Sequence, residues 1–518
     1  MTCATKHPSA FARTQPNKIA YRMASDGSQL SYAALNDRSN QGAQALRSLG
    51  VEQGDHIALL FENCLDLMVL AWAAQRSGVF YSAISTHLTV GEIAYIARDC
   101  SAKIMVISIA YAQHLPDLRA ACPDILFFIA GGTNERTDNW QALADAMPAL
   151  PIADEAAGAD MLYSSGTTGQ PKGIVRQFEP QPIETVIPAL MTVLCETVGQ
   201  MDSDTVYLSP APLYHAAPLR FSMMTVQLGG TVIIMEKFDA EHLLHLIEAR
   251  GVTHTQVVPT MFVRMLKLAQ NVRGQFDVSS LKYVFHAAAP CPQHVKAEMI
   301  DWLGPILVEY YAGSEANGVT LALSDDWLRH CGTVGKSLLG NIVIVGEGGK
   351  ALPAGEIGSV YFDSGIEFMY RGAPEKTAQA YLRPGCSTLG DVGYLNEDGY
   401  LFLTDRVSNM IVSGGVNIYP QETEDTLIAH PDVDDAAVFG VPNEEMGEEV
   451  KAVVQVRAGC VASPEKAAEL IAFCRARLSG IKTPRSIDFH DALPRTPTGK
   501  LIKRKLKASY WPSEGPKV

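Results

Sequence analysis

The chain has 518 residues, 47% of them hydrophobic and 19% charged, the proportions of an ordinary globular protein and not of a disordered or fibrous one. At about 150 residues per domain there is room for about three cores, so several lobes are expected. A formal net charge of -14 argues against a nucleic-acid partner, because that affinity rests on neutralising many phosphates with Lys and Arg.

No apolar run reaches the roughly 18 residues of a membrane span, so no integral membrane segment is expected. The ten cysteines contain no Cys-x-x-Cys pair, which fits reduced structural thiols better than a zinc site or a disulfide framework. The start, Met1-Thr-Cys-Ala-Thr-Lys-His-Pro8, lacks a basic region followed by an apolar core, and Gly515-Pro-Lys-Val518 is no peroxisomal address. Cytoplasmic residence is expected.

Residues 29 to 107 alternate helical and short apolar segments. Ser31 is placed to cap a helix, and His56-Ile-Ala-Leu-Leu-Phe61 reads as a buried strand. The rhythm returns in Lys103-Ile-Met-Val-Ile-Ser108 and in Gly230-Thr-Val-Ile-Ile-Met235 after a helical stretch over 216 to 228. It returns again in Thr253-His-Thr-Gln-Val-Val258, before a helix opening near Pro259. Strands alternating with helices predict largely parallel sheets with both faces covered.

After about residue 331 the texture changes. Asn341-Ile-Val-Ile-Val345, Gly358-Ser-Val-Tyr-Phe362 and Gly399-Tyr-Leu-Phe-Leu403 are short β-rich runs between turn residues, and predict a small β lobe. Beyond Arg406 the pattern is mixed: a helix near 421 to 430, strands at Ala436-Ala-Val-Phe-Gly440 and Lys451-Ala-Val-Val-Gln-Val456, and a helix over 464 to 478. The predicted fold class is α/β. A large N-terminal domain, residues 1–405, combines α/β subdomains with the β-rich lobe, and a small α+β C-terminal domain covers 406–518.

The densest chemical signal is Tyr163-Ser-Ser-Gly-Thr-Thr-Gly-Gln-Pro-Lys-Gly173. Gly166, Gly169 and Gly173 free the backbone, Ser164, Ser165, Thr167 and Thr168 offer hydroxyls, and Lys172 adds a positive charge. A Gly/Thr-rich surface loop is the bland alternative, but so many such residues in one window point to a polyphosphate cradle. The spacing is not that of a Walker A loop. The run resembles the phosphate-binding signature of the adenylate-forming superfamily: acyl-CoA synthetases, aryl-CoA ligases, nonribosomal adenylation domains and luciferases.

The resemblance covers essentially the whole chain, because further signatures recur in the family's order. Tyr311-Ala-Gly-Ser-Glu315 is similar to the Tyr-Gly-x-Thr-Glu motif, with Ala312 replacing the usual glycine. It implies that Glu315 holds Mg²⁺ on the phosphates, that Ser314 meets the α-phosphate and that Tyr311 contacts the nucleotide. Read alone, Glu315 would be a surface or helix-cap glutamate, although Mg²⁺ does prefer one or two carboxylates plus phosphate oxygens and water. Leu389-Gly-Asp391 resembles the Thr-Gly-Asp motif, whose aspartate accepts from the ribose hydroxyls; alone it would pass for a turn. Arg406, in Thr404-Asp-Arg-Val-Ser408, looks like a ribose or phosphate contact. Ser408 takes the hinge position where the family usually has Asp or Lys.

Val412-Ser-Gly-Gly-Val-Asn417 resembles the loop lining the pantetheine tunnel, with Gly414 and Gly415 as its thin wall; alone it would be a plain Gly-Gly turn. Leu493-Pro-Arg-Thr-Pro-Thr-Gly-Lys500 matches the C-terminal lysine motif, so Lys500, together with Thr168 and Glu315, is implied to be catalytic. The basic cluster Lys500, Lys503, Arg504, Lys505 and Lys507 is otherwise the face of a solvated last helix. His215, in Pro212-Leu-Tyr-His-Ala-Ala-Pro218, resembles the residue gating the acyl pocket, and His286-Ala-Ala-Ala-Pro290 the segment beside adenine, giving Ala288 a nucleotide contact. Phe221, Val258, Met261, Ala287 and Tyr311 are the candidate pocket lining. His242 and His245 share a helix face without a carboxylate motif and are read as structural. No Gly-x-Ser-x-Gly elbow is present, which argues against an α/β-hydrolase.

The resemblance implies an acyl-CoA ligase using ATP, Mg²⁺ and coenzyme A on a small-molecule carboxylic acid. The apolar lining favours a fatty, phenylpropanoid-type or steroid or alicyclic side-chain acid. The alternatives are a stand-alone adenylation enzyme that loads a carrier protein and a non-catalytic nucleotide-binding protein. A homodimer is left open as the assembly.

Overall fold

The computed structural model describes residues 6–132, 138–164, 172–175, 178–496 and 501–511. Its largest element is a nine-stranded sheet, in the spatial order Lys336–Leu339, Val319–Leu323, Leu307–Ala312, Tyr283–His286, His254–Val257, Val206–Ser209, Thr231–Ile234, Ile19–Met23 and Gln29–Ser31. The six strands from Leu307–Ala312 to Ile19–Met23 are parallel, and the outer ones on both sides are antiparallel. A second, all-parallel sheet has the order Phe80–Ile84, His56–Leu60, Ala102–Ser108, Leu126–Ala130.

Side chains alternate across a strand, and the cores follow that alternation. Tyr207, Val232, Phe285 and Val308 belong to the main core, which also takes in Ile57, Leu59, Ile104 and Val106 of the second sheet. Their sequence neighbours Leu208, Ile233, Val284 and Leu307 face the opposite way, into a second core. The main core therefore lies between the two sheets, and helices fill it: Tyr32–Ser48, Leu65–Arg76 and Ala216–Gln227. Ser31 caps the first as expected, its hydroxyl accepting from the Ala34 amide at 3.2 Å.

The β lobe is five-stranded, with Asn341–Val345, Gly358–Asp363, Cys386–Leu395 and Tyr381–Arg383 in order and Leu401–Arg406 pairing with the C-terminal half of Cys386–Leu395. The turn Val407–Asn409 leads on to a further sheet built around the long hairpin of Val433–Asn443 and Gly447–Val456, with helices Gln421–Ile428 and Pro464–Arg475. Its apolar core, which includes Leu427, Val438, Val454 and Leu470, is its own. Asp405 ties the junction together: its carboxylate accepts from the Gln421 amide at 3.0 Å and from the Asn409 side chain at 2.8 Å. Among the described residues no helix is long and apolar enough to cross a membrane.

Candidate active site

Three separate motifs converge where the nine-stranded sheet meets the β lobe. Tyr311 stands two places beyond Glu309, near the end of its strand, and packs beside Ile344, Val360 and Leu401 of the lobe. Antiparallel pairing sets Asp391 opposite Arg406. Asp391 is buried, accepts the Tyr311 hydroxyl at 2.5 Å and meets Arg406 Nε at 2.9 Å. Burial, then the Asp391 charge, raises the Tyr311 phenol well above its ordinary range, so it stays a neutral donor.

A second group gathers around Tyr370. Met369–Tyr370 pairs with Lys172–Val175, which sets Tyr370 opposite Ile174. The Tyr370 hydroxyl donates to Glu315 at 2.8 Å, and Lys172 Nζ stands 4.7 Å from its ring centroid. Partial burial lowers the Lys172 ammonium below its usual value, Lys376 adds to the shift, and Glu315 opposes it. Sequence reasoning missed Tyr370, which sits in no motif; only strand pairing brings it beside Glu315. Gly313 has no room for a side chain: a Cβ there would stand 2.5 Å from Leu389 and 2.6 Å from the Glu315 carboxylate. Ser314 is half-buried beside it.

Backbone strain marks the same neighbourhood. Ala288 has φ 77° and Ala316 has φ 55°, a region L-residues seldom occupy. Ser165, Gly166, Thr167, Thr168, Gly169 and Lys500 lie outside the described residues, as does the side chain of Ser164. The stem around Lys500 is described: Arg495 bridges to Leu501 in antiparallel fashion and pairs with Asp435, and Lys503 stands 2.8 Å from Glu424.

The pocket candidates divide. His215 sits at the N-cap of Ala216–Gln227 with its Nε2 buried and unpartnered, and burial, with a smaller effect of His87, pushes its pKa down to about 4. Phe221 and Ala287 lie with it on the main-core side of the sheet. Val258 and Met261 do not share that side. They pack in the second core, because the chain turns after the His254–Val257 strand into Pro259–Leu266 on the far face. Tyr311 is likewise directed to Asp391 and away from Phe221. The His286 ring is fully buried on that far face, 5.2 Å from Phe262 and 3.9 Å from Glu309, so its side chain is part of the packing.

Gly414 and Gly415, with φ 56° and 79°, make the exposed turn between Ile411–Ser413 and Val416–Ile418. A Cβ at Gly414 would collide with Met446. Ser408 is exposed in the Val407–Asn409 turn.

This donor set suits a nucleotide. Two hydrogen-bonded carboxylates, one cation over a ring and one arginine gather where the main sheet meets the β lobe; Glu315 is an oxygen ligand of the kind Mg²⁺ takes. The model for AMP-binding enzymes matches residues 9–370, and that for the AMP-binding enzyme C-terminal domain matches residues 422–500. The chain belongs to this adenylate-forming family.

Its relatives include the long-chain-fatty-acid–CoA ligase FadD13 of Mycobacterium tuberculosis, 31% identical, covering 96% of this chain and 97% of the relative. Another is a feruloyl-CoA synthase from Amycolatopsis, 33% identical over 97% of this chain and 98% of the relative. Among solved structures, ATP-bound MatB from Rhodopseudomonas palustris superposes with a TM-score of 0.81 at 28% identity, covering 97% of this chain and 99% of that one.

Proposed function

We propose that this chain, an AMP-forming acid-thiol ligase, activates a hydrophobic carboxylic acid through an acyl-adenylate and transfers the acyl group to coenzyme A. The observation that carries this reading is the seam where Asp391, Arg406 and Tyr311 meet, next to the Glu315, Tyr370 and Lys172 group.

In the first step a substrate carboxylate oxygen bonds to the α-phosphorus and the bond to the bridging oxygen breaks, releasing pyrophosphate. Asp391 accepts from the ribose hydroxyls, exchanging its Tyr311 contact for them, while Arg406 stays beside it. Lys172, Thr167 and Thr168 hold the departing phosphates, and Lys500 lies against the α-phosphate. Glu315 would hold Mg²⁺, which neutralises phosphate charge when bound. Positioning supplies much of the acceleration, since a held carboxylate attacks in line without the entropic cost of encounter.

In the second step the thiol sulfur bonds to the acyl carbon and AMP leaves. We assign residues 1–405 to a nucleotide and acyl domain and 406–518 to a mobile domain turning about Ser408, which withdraws Lys500 and brings Gly414 and Gly415 to the thiol channel. His215 gates the acyl chamber, with Phe221 and Ala287 as its apolar wall.

The test is hydroxylamine-trapped adenylation over fatty, cinnamate-type and alicyclic side-chain acids, followed by transfer to free coenzyme A. Activity confined to acetate or an amino acid overturns the hydrophobic-acid reading. Transfer to a carrier protein and not to coenzyme A favours the carrier-loading alternative.

A further inference from the structure

The strand that carries Lys172 is the middle one of a small three-stranded sheet, in the order Met369–Tyr370, Lys172–Val175, Tyr163–Ser164. One helix end reaches both outer strands. Val90–Asp99 stops at Asp99, and the Tyr163 hydroxyl donates to the Asp99 Oδ2 at 2.5 Å. Two residues further on, the Ser101 hydroxyl accepts from Arg371 Nη2 at 2.8 Å. Arg371 directly follows Tyr370, and its backbone N–H donates to the Gly173 carbonyl at 2.9 Å, so the hold on Arg371 extends to the middle strand.

The fit on the Tyr163 side is close. Tyr163 pairs with Gly173 and its ring lies against that glycine: a Cβ at Gly173 would stand 2.8 Å from the ring Cζ and 2.9 Å from the hydroxyl. Burial raises the Tyr163 phenol well above its ordinary range, Cys100 and Asp99 adding to the shift and Arg371 opposing it, so it stays a neutral donor. On the other side, Ser101 has φ 53°, a region that residues with a Cβ seldom occupy. Such strain persists where surrounding contacts over-determine the backbone.

What the helix end holds is the group described above around Tyr370. Lys172 Nζ stands over the Tyr370 ring, and the Tyr370 hydroxyl donates to Glu315. Two of the three strands are only two residues long. Pairing over so few residues is marginal without outside support, and Asp99 and Ser101 supply it from one rigid element.

We infer that Asp99 with Tyr163, and Ser101 with Arg371, are positioning residues for the polyphosphate end of the nucleotide: they fix Lys172 and Tyr370 in place without touching a phosphate. This rests on the ligase reading above, in which Lys172 holds the departing phosphates, and adds how that cation is aimed. The adenosine end is held separately, by Asp391 and Arg406, so the two ends of ATP should respond differently when the clamp is loosened.

The experiment compares the full-length wild type with Tyr163→Phe, which keeps the ring over Gly173 and loses the hydroxyl, and with Ser101→Gly, which removes the hydroxyl at a φ that glycine tolerates. ATP and AMP binding are measured by calorimetry, beside acid-dependent pyrophosphate exchange. The expected result is an affinity for ATP about tenfold weaker and a KM for pyrophosphate about tenfold higher in each variant, the scale of one hydrogen bond to a charged group. AMP affinity and the KM for the acid should be unchanged. Wild-type ATP affinity in the variants overturns the inference and leaves the ligase reading standing. Equal weakening of ATP and AMP also overturns it, because the loss is then a general one of structure. A wild type with no acid-dependent exchange overturns the ligase reading and this inference with it. Where one variant fails to fold, the other decides, since the two remove different contacts of the same clamp.

Discussion

Tyr311 donates its hydroxyl proton to Asp391 at 2.5 Å, across 80 residues of sequence and across the boundary between the main sheet and the β lobe. Arg406 occupies the other carboxylate oxygen at 2.9 Å. A carboxylate held by a phenol and a guanidinium is fixed in place before any ligand arrives, and the vicinal hydroxyls of a ribose can replace the phenol without moving it.

Asp391→Ala removes that anchor. Hydrogen bonds to charged groups are worth about 1.5–3 kcal/mol, so ATP affinity should fall by about ten- to a hundredfold, read by calorimetry or by KM for ATP in pyrophosphate exchange. Unchanged affinity would remove Asp391 from the nucleotide site.

Lys500→Ala and Gly414→Val should separate the two half-reactions. The lysine variant should lose about 10²–10³ in adenylation rate, the scale of removing one transition-state donor, while still converting preformed acyl-adenylate to thioester. The glycine variant, with a branched side chain at φ 56° against Met446, should show the reverse. Equal loss of both steps in Lys500→Ala would sink the proposed division between them.

His7 should make the fold acid-sensitive. It is buried, caps Pro8–Thr14 by accepting from the Ser9 amide at 3.2 Å, and meets Trp72 edge-on. Burial, followed by the Arg76 charge, lowers its pKa to about 3. Between that value and 6.5 the unfolded chain binds the proton and the folded chain does not, so stability is complete above about pH 6.5 and is lost as pH falls toward 3. Thermal melts should show a smaller drop in Tm from pH 7 to pH 5 in His7→Gln, which keeps an acceptor without titrating. Parallel curves for the two proteins would assign the acid sensitivity elsewhere.

Lys296 and Glu309 form a buried ion pair at 2.5 Å under the Trp327 ring. Lys296→Met should cost about 3–5 kcal/mol, because it strands the carboxylate in the second core. The double variant Lys296→Met/Glu309→Leu should recover much of that loss in urea titrations. If the double variant is no more stable than the single one, the cost does not come from the stranded charge.

The amino-acid sequence by itself determined the local elements and the order of the chemical motifs. Ser31 caps its helix because a hydroxyl before an apolar period satisfies a free amide wherever it occurs, and His56–Leu60 is a strand whose apolar run Ile57–Leu60 is buried on both faces. Asp391, Arg406 and Glu315 are candidates on sequence alone because each carries a motif in adjacent residues.

The tertiary structure alone decided which residues share a side. Val258 and Met261 are as apolar as Phe221, yet they lie across the sheet from it, and Tyr370 joins Glu315 without any motif. Side chains alternate along every strand, but which face meets which helix depends on pairings such as Tyr21 with Val232. Such long-range pairings leave no periodicity in the neighbouring sequence.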